Sequence, residues 1–192
     1  MRRVRYGMLV SLDGYIEDAR GGIDFFTPGP ELHRHFNERE LDIGTHLYGR
    51  RLYGTMVPYW NAVTDDSDVT DVELEYARNW KLAENVVFSR TLTEVSHGAR
   101  LVAGDAVAEI ARLKALPGKD MDVGGAGLAA SLMAAGLIDE YRLYVVPVVL
   151  GGGKPFFAAG VPVPDLELAA VERFPGGVVM LRYLTRAALE GS

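Results

Sequence analysis

The stretch Asp120–Phe157 constrains the fold of this chain more than any other part of the sequence. A short apolar run (Met121–Val123) leads into a glycine-rich turn, and a segment typical of a helix (Leu128–Ala135) follows and stops at Gly136. A longer apolar run (Tyr141–Leu150) then ends in three consecutive glycines. Strand, glycine turn, helix and strand in this order indicate an α/β fold whose sheet contains parallel strands.

The glycine turn itself, Gly124-Gly125-Ala126-Gly127, is suited to a phosphate group. Backbone N–H groups at a helix start lack intrahelical partners, and the helix dipole places positive charge there. Close strand–helix packing explains the same glycines without a ligand, and this alternative stays open. A Rossmann dehydrogenase is disfavoured, because the next apolar run ends at Leu150 without the acidic residue that would bind a ribose.

Composition limits the class of protein. The chain has 192 residues, of which 48% are hydrophobic and 24% are charged, as in a soluble globular domain. We therefore expect one domain over residues 1–192. The net charge of −6 disfavours nucleic acid and anionic membranes as partners, and the absence of cysteine excludes disulfides and a thiol nucleophile. No apolar run approaches the roughly 20 residues of a membrane span, so we expect a cytoplasmic protein. We also expect no bound metal.

The rest of the chain alternates between strand and helix patterns. The predicted strands are 4–12, 45–48, 85–88, 99–103, 121–123 and 141–150, followed by an antiparallel hairpin of 166–174 and 178–185. The predicted helices are 31–41, 52–59, 71–80, a segment capped by Asp105 that ends at Pro117, and 128–135, while 13–30 is a loop. This order predicts a three-layer α/β fold, in which helices flank a mostly parallel central sheet with a C-terminal antiparallel hairpin.

Two further junctions carry residues that suit phosphate. Gly49, Arg50 and Arg51 stand at a predicted helix start, a position that disfavours cations unless an anion binds there. Ser89 and Arg90 follow another strand, where a hydroxyl and a guanidinium fit the 2′-phosphate of NADP. Two solvated arginines and an ordinary polar loop are the alternatives.

These junctions, in this order, resemble the dihydrofolate-reductase-like fold. More closely, the chain resembles the reductase domain of the bifunctional riboflavin-biosynthesis deaminase–reductase and its stand-alone relatives. The motifs that carry the resemblance are Ser11-Leu12-Asp13-Gly14, Gly49-Arg50, Val87-Phe88-Ser89-Arg90-Thr91, Val123-Gly124-Gly125, Gly136-Leu137-Ile138-Asp139-Glu140 and Pro147-Val148-Val149-Leu150-Gly151-Gly152-Gly153-Lys154-Pro155-Phe156-Phe157.

The resemblance implies an NADPH-dependent reductase of a small heterocyclic or carbonyl substrate. It assigns the diphosphate of NADPH to the glycine turn described above and the helix after it, namely Gly124, Gly125, Ala126, Gly127 and Leu128. It assigns the flanks of the diphosphate or the 2′-phosphate to Gly49, Arg50 and Arg51, and the 2′-phosphate to Ser89 and Arg90. Asp13 would face the nicotinamide and substrate as the catalytic polar group.

The chain also departs from the relatives it resembles. The 192 residues lack the zinc-binding His/Cys pattern of the deaminase half, so we do not expect the bifunctional enzyme. Dihydrofolate reductases place a tryptophan before the first helix, where Phe25 and Phe26 stand here, and Glu31 is out of register with their pterin-binding carboxylate. Folate is therefore disfavoured as the substrate.

Three expectations remain open at this stage. Asp13 either acts on substrate or only closes an Asp-Gly turn through its own backbone hydrogen bonds. A nucleotide-binding sensor without turnover is the alternative to a reductase. We also expect a homodimer, because the last strands look too apolar for water-facing edges. The side chains behind that expectation are Leu143, Val145, Val146, Val148, Val149, Val178, Val179 and Leu181. Separately, the candidates for an aromatic pocket are Tyr15, Tyr53, Trp60, Phe156 and Phe157.

Overall fold

A computed structural model describes residues 1–162 and 165–190 of the chain. The strands within these residues are β1 (Val4–Val10), β2 (Tyr15–Glu17), β3 (Ile43–Gly49), β4 (Glu84–Phe88), β5 (Arg100–Val102), β6 (Asp120–Gly124), β7 (Glu140–Val145), β8 (Lys154–Pro155), β9 (Leu166–Phe174) and β10 (Val178–Thr185). The helices are α1 (Pro30–Glu40), α2 (Arg50–Ala62), α3 (Asp71–Trp80), α4 (Ala106–Ala115), α5 (Ala126–Ala134) and α6 (Arg186–Glu190).

The main sheet has the strand order β5-β4-β3-β6-β1-β7-β10-β9 in the described part of the chain. The six strands from β5 to β7 are parallel to one another, β10 is antiparallel to β7, and β9 is antiparallel to β10. The predicted fold class, a mostly parallel sheet with a closing antiparallel hairpin, is therefore confirmed. Because the central strands are parallel, their carboxyl ends share one edge of the sheet, which we call the carboxyl edge.

Helices cover both faces of the sheet, which gives the three predicted layers. On one face, Ile110 of α4 and Leu132 of α5 share a buried cluster with Leu47 of β3. On the other face, Val57 of α2 and Trp80 of α3 pack against Tyr48, the next residue of the same strand. Successive side chains of a strand point to opposite faces, so these two clusters lie on opposite sides of the sheet.

The apolar run 141–150 was predicted as one strand, and this prediction was wrong in its second half. Strand β7 ends at Val145, where its pairing with Val10 of β1 and with Val179 of β10 also ends. Pro147 lacks an N–H group for further pairing. Beyond it the chain crosses to the loop after β1, where the N–H of Leu12 donates to the carbonyl oxygen of Val148 at 2.8 Å.

The loop 13–30 was predicted to lack regular structure, but it contains strand β2, which pairs antiparallel with β8. The approach of the two backbones depends on Gly153. A Cβ atom at this position would lie 2.0 Å from the carbonyl oxygen of Glu17, and the φ angle of +135° disfavours other residues. The ribbon of β2 and β8 therefore fixes the segment that leaves β1 against the segment that leaves β7.

The homodimer expectation rested partly on strands that the structure places inside the sheet. Strand β7 lies between β1 and β10, and Val146 and Val178 are buried, so these residues do not form an exposed edge. The edge strand is β9, on which Leu168 and Val171 are 55% and 52% exposed. An exposed apolar edge therefore exists, although most of its residues differ from those expected.

Candidate functional site

The residues predicted to bind the cofactor lie at the ends of three neighbouring strands on the carboxyl edge. Gly124 ends β6 and pairs with Tyr48 of β3, while Gly49 ends β3 and pairs with Phe88 of β4. Ser89 follows β4 directly, and its N–H donates to the carbonyl oxygen of Val102 at 3.1 Å. Neighbouring strands are about 4.8 Å apart, so the glycine turns and the Ser89 turn lie side by side.

Two helices begin at this edge with glycine at the N-cap. Helix α5 follows Gly125, whose φ angle of 100° is a conformation open to glycine, and α2 follows Gly49. Neither helix has an acidic residue in its first turn. By contrast, α3 and α4 have side-chain caps from Thr70 and Asp105. The first N–H groups of α2 and α5 therefore have no side-chain cap, an arrangement that suits an anionic ligand.

The structure refines the roles of the residues in the glycine turn 124–127. Ala126, Gly127 and Leu128 form the first turn of α5, which starts two residues before the predicted start. Gly127 is exposed with open space where a Cβ would stand. Gly124 has a packing role, because a Cβ there would lie 2.5 Å from Cδ1 of Tyr48. Packing thus accounts for Gly124, whereas it gives no reason for a glycine at Gly127.

Arginine side chains flank this turn on α2. Arg50 and Arg51 are both exposed, and Arg51 Nη1 lies 3.5 Å from the Glu17 Oε2 atom. The other oxygen of Glu17 lies 3.9 Å from Nζ of Lys154. These three charged side chains line an open cleft of about 600 Å³ between the 17–21 segment, the start of α2 and β8. Glu17 therefore occupies the place between two cations that an anionic group of a ligand would also favour.

The Ser89 turn has a defined geometry. The Ser89 hydroxyl oxygen accepts hydrogen bonds from the N–H groups of Thr91 at 3.2 Å and Leu92 at 3.1 Å. Its own O–H group can still donate to an acceptor such as a phosphate oxygen. The neighbouring Arg90 is exposed and forms no ion pair with any residue that the structure describes. The turn thus presents a hydroxyl donor and a guanidinium side by side.

Asp13 is held in place by three hydrogen bonds. Its Oδ1 atom accepts from the Ser11 hydroxyl at 2.7 Å and from the N–H of Leu150 at 3.1 Å, and its Oδ2 atom accepts from the N–H of Gly151 at 2.7 Å. These bonds, that from Ser11 first, lower the pKa of Asp13. Asp13 therefore does more than close its own turn, because it connects the loop after β1 with the loop after β7.

Two exposed apolar side chains stand beside this connection. Leu12 is 62% exposed and Val149 is 69% exposed, although both belong to segments that are hydrogen-bonded to each other. Apolar side chains at such a position offer contact area to a flat ring. Of the side chains considered for an aromatic pocket, Phe156 belongs to the core, where it is buried against Tyr6 with ring centroids 4.4 Å apart.

Sequence patterns did not reveal Glu17 and Lys154 as parts of this edge, nor the hydroxyl of Tyr53, which accepts a hydrogen bond from the N–H of Ser96 in the loop after β4. Glu17 and Lys154 meet only through the pairing of β2 with β8, which joins segments far apart in the chain. The alternation of Tyr15, Ile16 and Glu17 was the available signal for a short strand. Within the described residues, no group of three or more His, Cys, Asp or Glu side chains could hold a metal ion, and no helix is long and apolar enough to cross a membrane.

Comparison with known proteins identifies the family of the chain. The family model described as RibD C-terminal domain matches residues 2–180. The uncharacterized protein YyaP of Bacillus subtilis (strain 168) is 34% identical over 186 residues, covering 95% of this chain and 94% of YyaP. A second uncharacterized protein of the same strain, YwjB, is 30% identical over 177 residues, or 91% of this chain and 93% of YwjB.

Solved structures show the same fold. A putative riboflavin biosynthesis protein from Shewanella sp. PV-4 superposes with a TM-score of 0.71 at 24% identity, covering 95% of this chain and 98% of that protein. RibD of Acinetobacter baumannii gives a TM-score of 0.68 at 18% identity, and this chain spans 58% of its length.

The corresponding values for the deaminase/reductase of Thermotoga maritima are a TM-score of 0.66, 16% identity and 56% of its length. The fold is therefore dihydrofolate-reductase-like, as predicted. Because the family model spans nearly the whole sequence and YyaP shares a third of its residues, this chain belongs to the RibD C-terminal domain family.

Proposed function

We propose that this protein is an NADPH-dependent reductase that transfers a hydride to a small heterocyclic or carbonyl substrate. One observation carries the proposal: two helices with glycine N-caps begin side by side at the carboxyl edge, next to Arg50, Arg51 and Arg90. Two helix N-termini and three guanidinium groups supply more positive potential than a diphosphate alone requires. A dinucleotide that carries an additional 2′-phosphate fits this surplus.

The first turn of α5, from Ala126 to Leu128, would hold the diphosphate together with Gly49 and the N-terminus of α2. Gly124 and Gly125 shape that turn, and Arg50 and Arg51 would neutralise the charge. Ser89 and Arg90 would bind the 2′-phosphate, since the Ser89 hydroxyl can donate while its oxygen accepts two N–H groups. Bound NADPH would supply the hydride. The protein would contribute proximity and orientation, which can account for about 7–11 kcal/mol of barrier.

In this proposal Asp13 orients the substrate. Its carboxylate stands at the carboxyl edge next to the exposed Leu12 and Val149, where an apolar ring could lie. Because the hydrogen bonds of Asp13 lower its pKa, it would act as an ionised acceptor for an N–H or O–H group of the substrate. The proton that accompanies the hydride would then come from solvent.

A sensor that binds NADPH without turnover is the second candidate. The observation that favours it is the engagement of both Asp13 oxygens by Ser11, Leu150 and Gly151, which is also what a purely structural residue would show. We further propose a homodimer and a cytoplasmic location, with neither nucleic acid nor a membrane as partner. The net charge of −6 and the exposed apolar residues of β9 support these proposals.

Titration calorimetry with NADPH and NADH tests the cofactor, and NADPH absorbance in the presence of pterins, pyrimidines, quinones and aldehydes tests turnover. Charge-assisted hydrogen bonds to the 2′-phosphate that contribute about 1.5–4 kcal/mol in total predict that NADPH binds about 10–1000-fold more tightly than NADH. Equal affinities would remove the roles of Ser89 and Arg90. Tight NADPH binding without oxidation by any compound would favour the sensor.

A further inference from the structure

We infer that Tyr53 is a positioning residue that sets the preference for a 2′-phosphorylated cofactor, although it does not contact the cofactor itself. The inference rests on the proposed function, in which Ser89 and Arg90 bind the 2′-phosphate. Its physical basis is a link between two segments of the candidate site that the sequence keeps apart. Tyr53 lies on α2, and its hydroxyl reaches Ser96 in the loop that begins with Ser89.

The link consists of two hydrogen bonds. The Tyr53 hydroxyl oxygen accepts from the N–H of Ser96 at 2.8 Å, and the two hydroxyl groups are 3.1 Å apart. Ser96 opens the tight turn that leads into β5, because the N–H of Ala99 donates to its carbonyl oxygen at 3.1 Å. The central residues of that turn, His97 and Gly98, have φ angles of 55° and 70°. Tyr53 therefore binds the first residue of an ordered turn.

The loop between β4 and β5 has one fixed point near each end. At its start, the Ser89 hydroxyl closes the turn to Leu92. At its far end, Tyr53 ties Ser96 to α2. The segment between these points, from Thr93 to Val95, has neither strand nor helix structure. Without the Tyr53 bonds, the far end of the loop would be attached to α2 less firmly, and the turn that carries Arg90 would be held only by β4 and by the hydrogen bonds of Ser89.

The position of α2 matters because the same helix carries the arginines proposed for the diphosphate. Arg50 and Arg51 lie in its first turn, and Tyr53 is one turn after Arg50. The distance between the diphosphate and the 2′-phosphate of a dinucleotide is limited by covalent bonds. A ligand that contacts both α2 and the Ser89 turn thus requires these two segments at a fixed separation, and Tyr53 connects α2 to the far end of the loop that the Ser89 turn begins.

The test compares Tyr53→Phe with the matched control Tyr59→Phe, by calorimetry with NADPH and NADH. Tyr59 lies on the same helix, is 50% exposed, and keeps its ring contact with Trp60 after the change. Loss of two exposed hydrogen bonds predicts that Tyr53→Phe weakens NADPH binding about five- to tenfold. It should leave NADH binding within twofold, and Tyr59→Phe should change neither affinity.

A double variant shows whether Tyr53 acts through the loop. In Arg90→Ala, the proposed 2′-phosphate contact is already absent, so adding Tyr53→Phe should weaken NADPH binding by less than a further twofold. If the wild type prefers NADPH, the inference is overturned when Tyr53→Phe weakens the binding of both cofactors equally, or weakens neither. A wild type that binds both cofactors equally would instead overturn the proposed function, and this inference with it.

Discussion

The carboxylate of Asp13 accepts a hydrogen bond from the N–H of Gly151 at 2.7 Å, so one side chain connects the loop after β1 with the loop after β7. Asparagine offers one acceptor oxygen where aspartate offers two, and its NH2 group cannot accept, so it cannot satisfy the N–H groups of both Leu150 and Gly151 as Asp13 does. We predict that Asp13→Asn lowers turnover about 10²–10⁴-fold, while NADPH affinity changes only a few-fold. Steady-state rates on an active substrate and calorimetry measure the two effects.

Asp66→Asn, which makes the same change in an exposed loop, is the control for charge. If Asp13→Asn is less stable but turns over at the wild-type rate, Asp13 only anchors the loops and the catalytic proposal fails.

The pH dependence of stability gives an independent test of the Asp13 hydrogen bonds. Because the pKa of Asp13 is lowered in the folded state, its ionised form stabilises the fold above the ordinary pKa of about 3.9. This contribution is lost as the pH falls through the lowered pKa. The difference in Tm between wild type and Asp13→Asn should therefore be constant from pH 7 to about pH 5 and shrink below about pH 4. A difference that grows on acidification would contradict the assigned bonds.

Glu17 should oppose cofactor binding, because its carboxylate pairs with Arg51 at 3.5 Å. Removing its charge in Glu17→Gln frees Arg51 and takes a negative charge away from the proposed diphosphate site. Exposed ion pairs contribute little, so we predict that NADPH binds only about two- to fivefold more tightly. Asp24→Asn, which changes the net charge equally in the same loop, should leave the affinity unchanged. Weaker binding in Glu17→Gln would show that the carboxylate helps to hold the ligand.

The homodimer prediction now depends on β9. Light scattering should report twice the 21.0 kDa mass of one chain at micromolar concentration. Charged residues at the exposed Leu168 and Val171 should shift the protein towards the monomer, so Leu168→Lys and Val171→Lys are the test variants. Leu82→Lys introduces the same charge at a residue that is 76% exposed near β4, far from β9 in the sheet order, and should leave the dimer intact. A wild-type monomer would contradict the prediction directly.

Gly153 and Gly54 should respond in opposite directions to alanine. A Cβ at Gly153 would overlap the carbonyl oxygen of Glu17, so Gly153→Ala should destabilise the fold by about 2 kcal/mol or more. Gly54 lies inside α2 with open space around it, and Gly54→Ala should stabilise the protein by about 0.5–1 kcal/mol. Chemical denaturation measures both, and a neutral Gly153→Ala would mean that β2 and β8 are not held together as described.

Local sequence signals predicted some elements to the residue. Helix α3 and strands β9 and β10 have the predicted bounds, and the Thr70–Glu73 capping box explains why α3 begins at Asp71. The end of β7 could not be predicted in this way, because apolar residues continue beyond Val145 although the pairing with both neighbouring strands stops there.

The candidate site likewise contains residues that the sequence indicates and contacts that it does not. Its glycines and arginines stand next to strand ends, where a sequence pattern reveals them. The contacts of Glu17 with Lys154, of Tyr53 with Ser96 and of Asp13 with Gly151 join residues from distant segments. No local pattern encodes such pairs, because each depends on the completed sheet.

The position of β1 in the middle of the sheet has a consequence for the newly made chain. Its two neighbours are β6 and β7, so β1 has both partners only after residues up to Val145 have been made. At about 5–20 residues per second, β1 waits on the order of ten seconds with an apolar strand unpaired. Contacts of such long sequence separation slow folding. Among the six parallel strands, β1 therefore stays unpaired longest during synthesis, and it depends on protection from aggregation for that time.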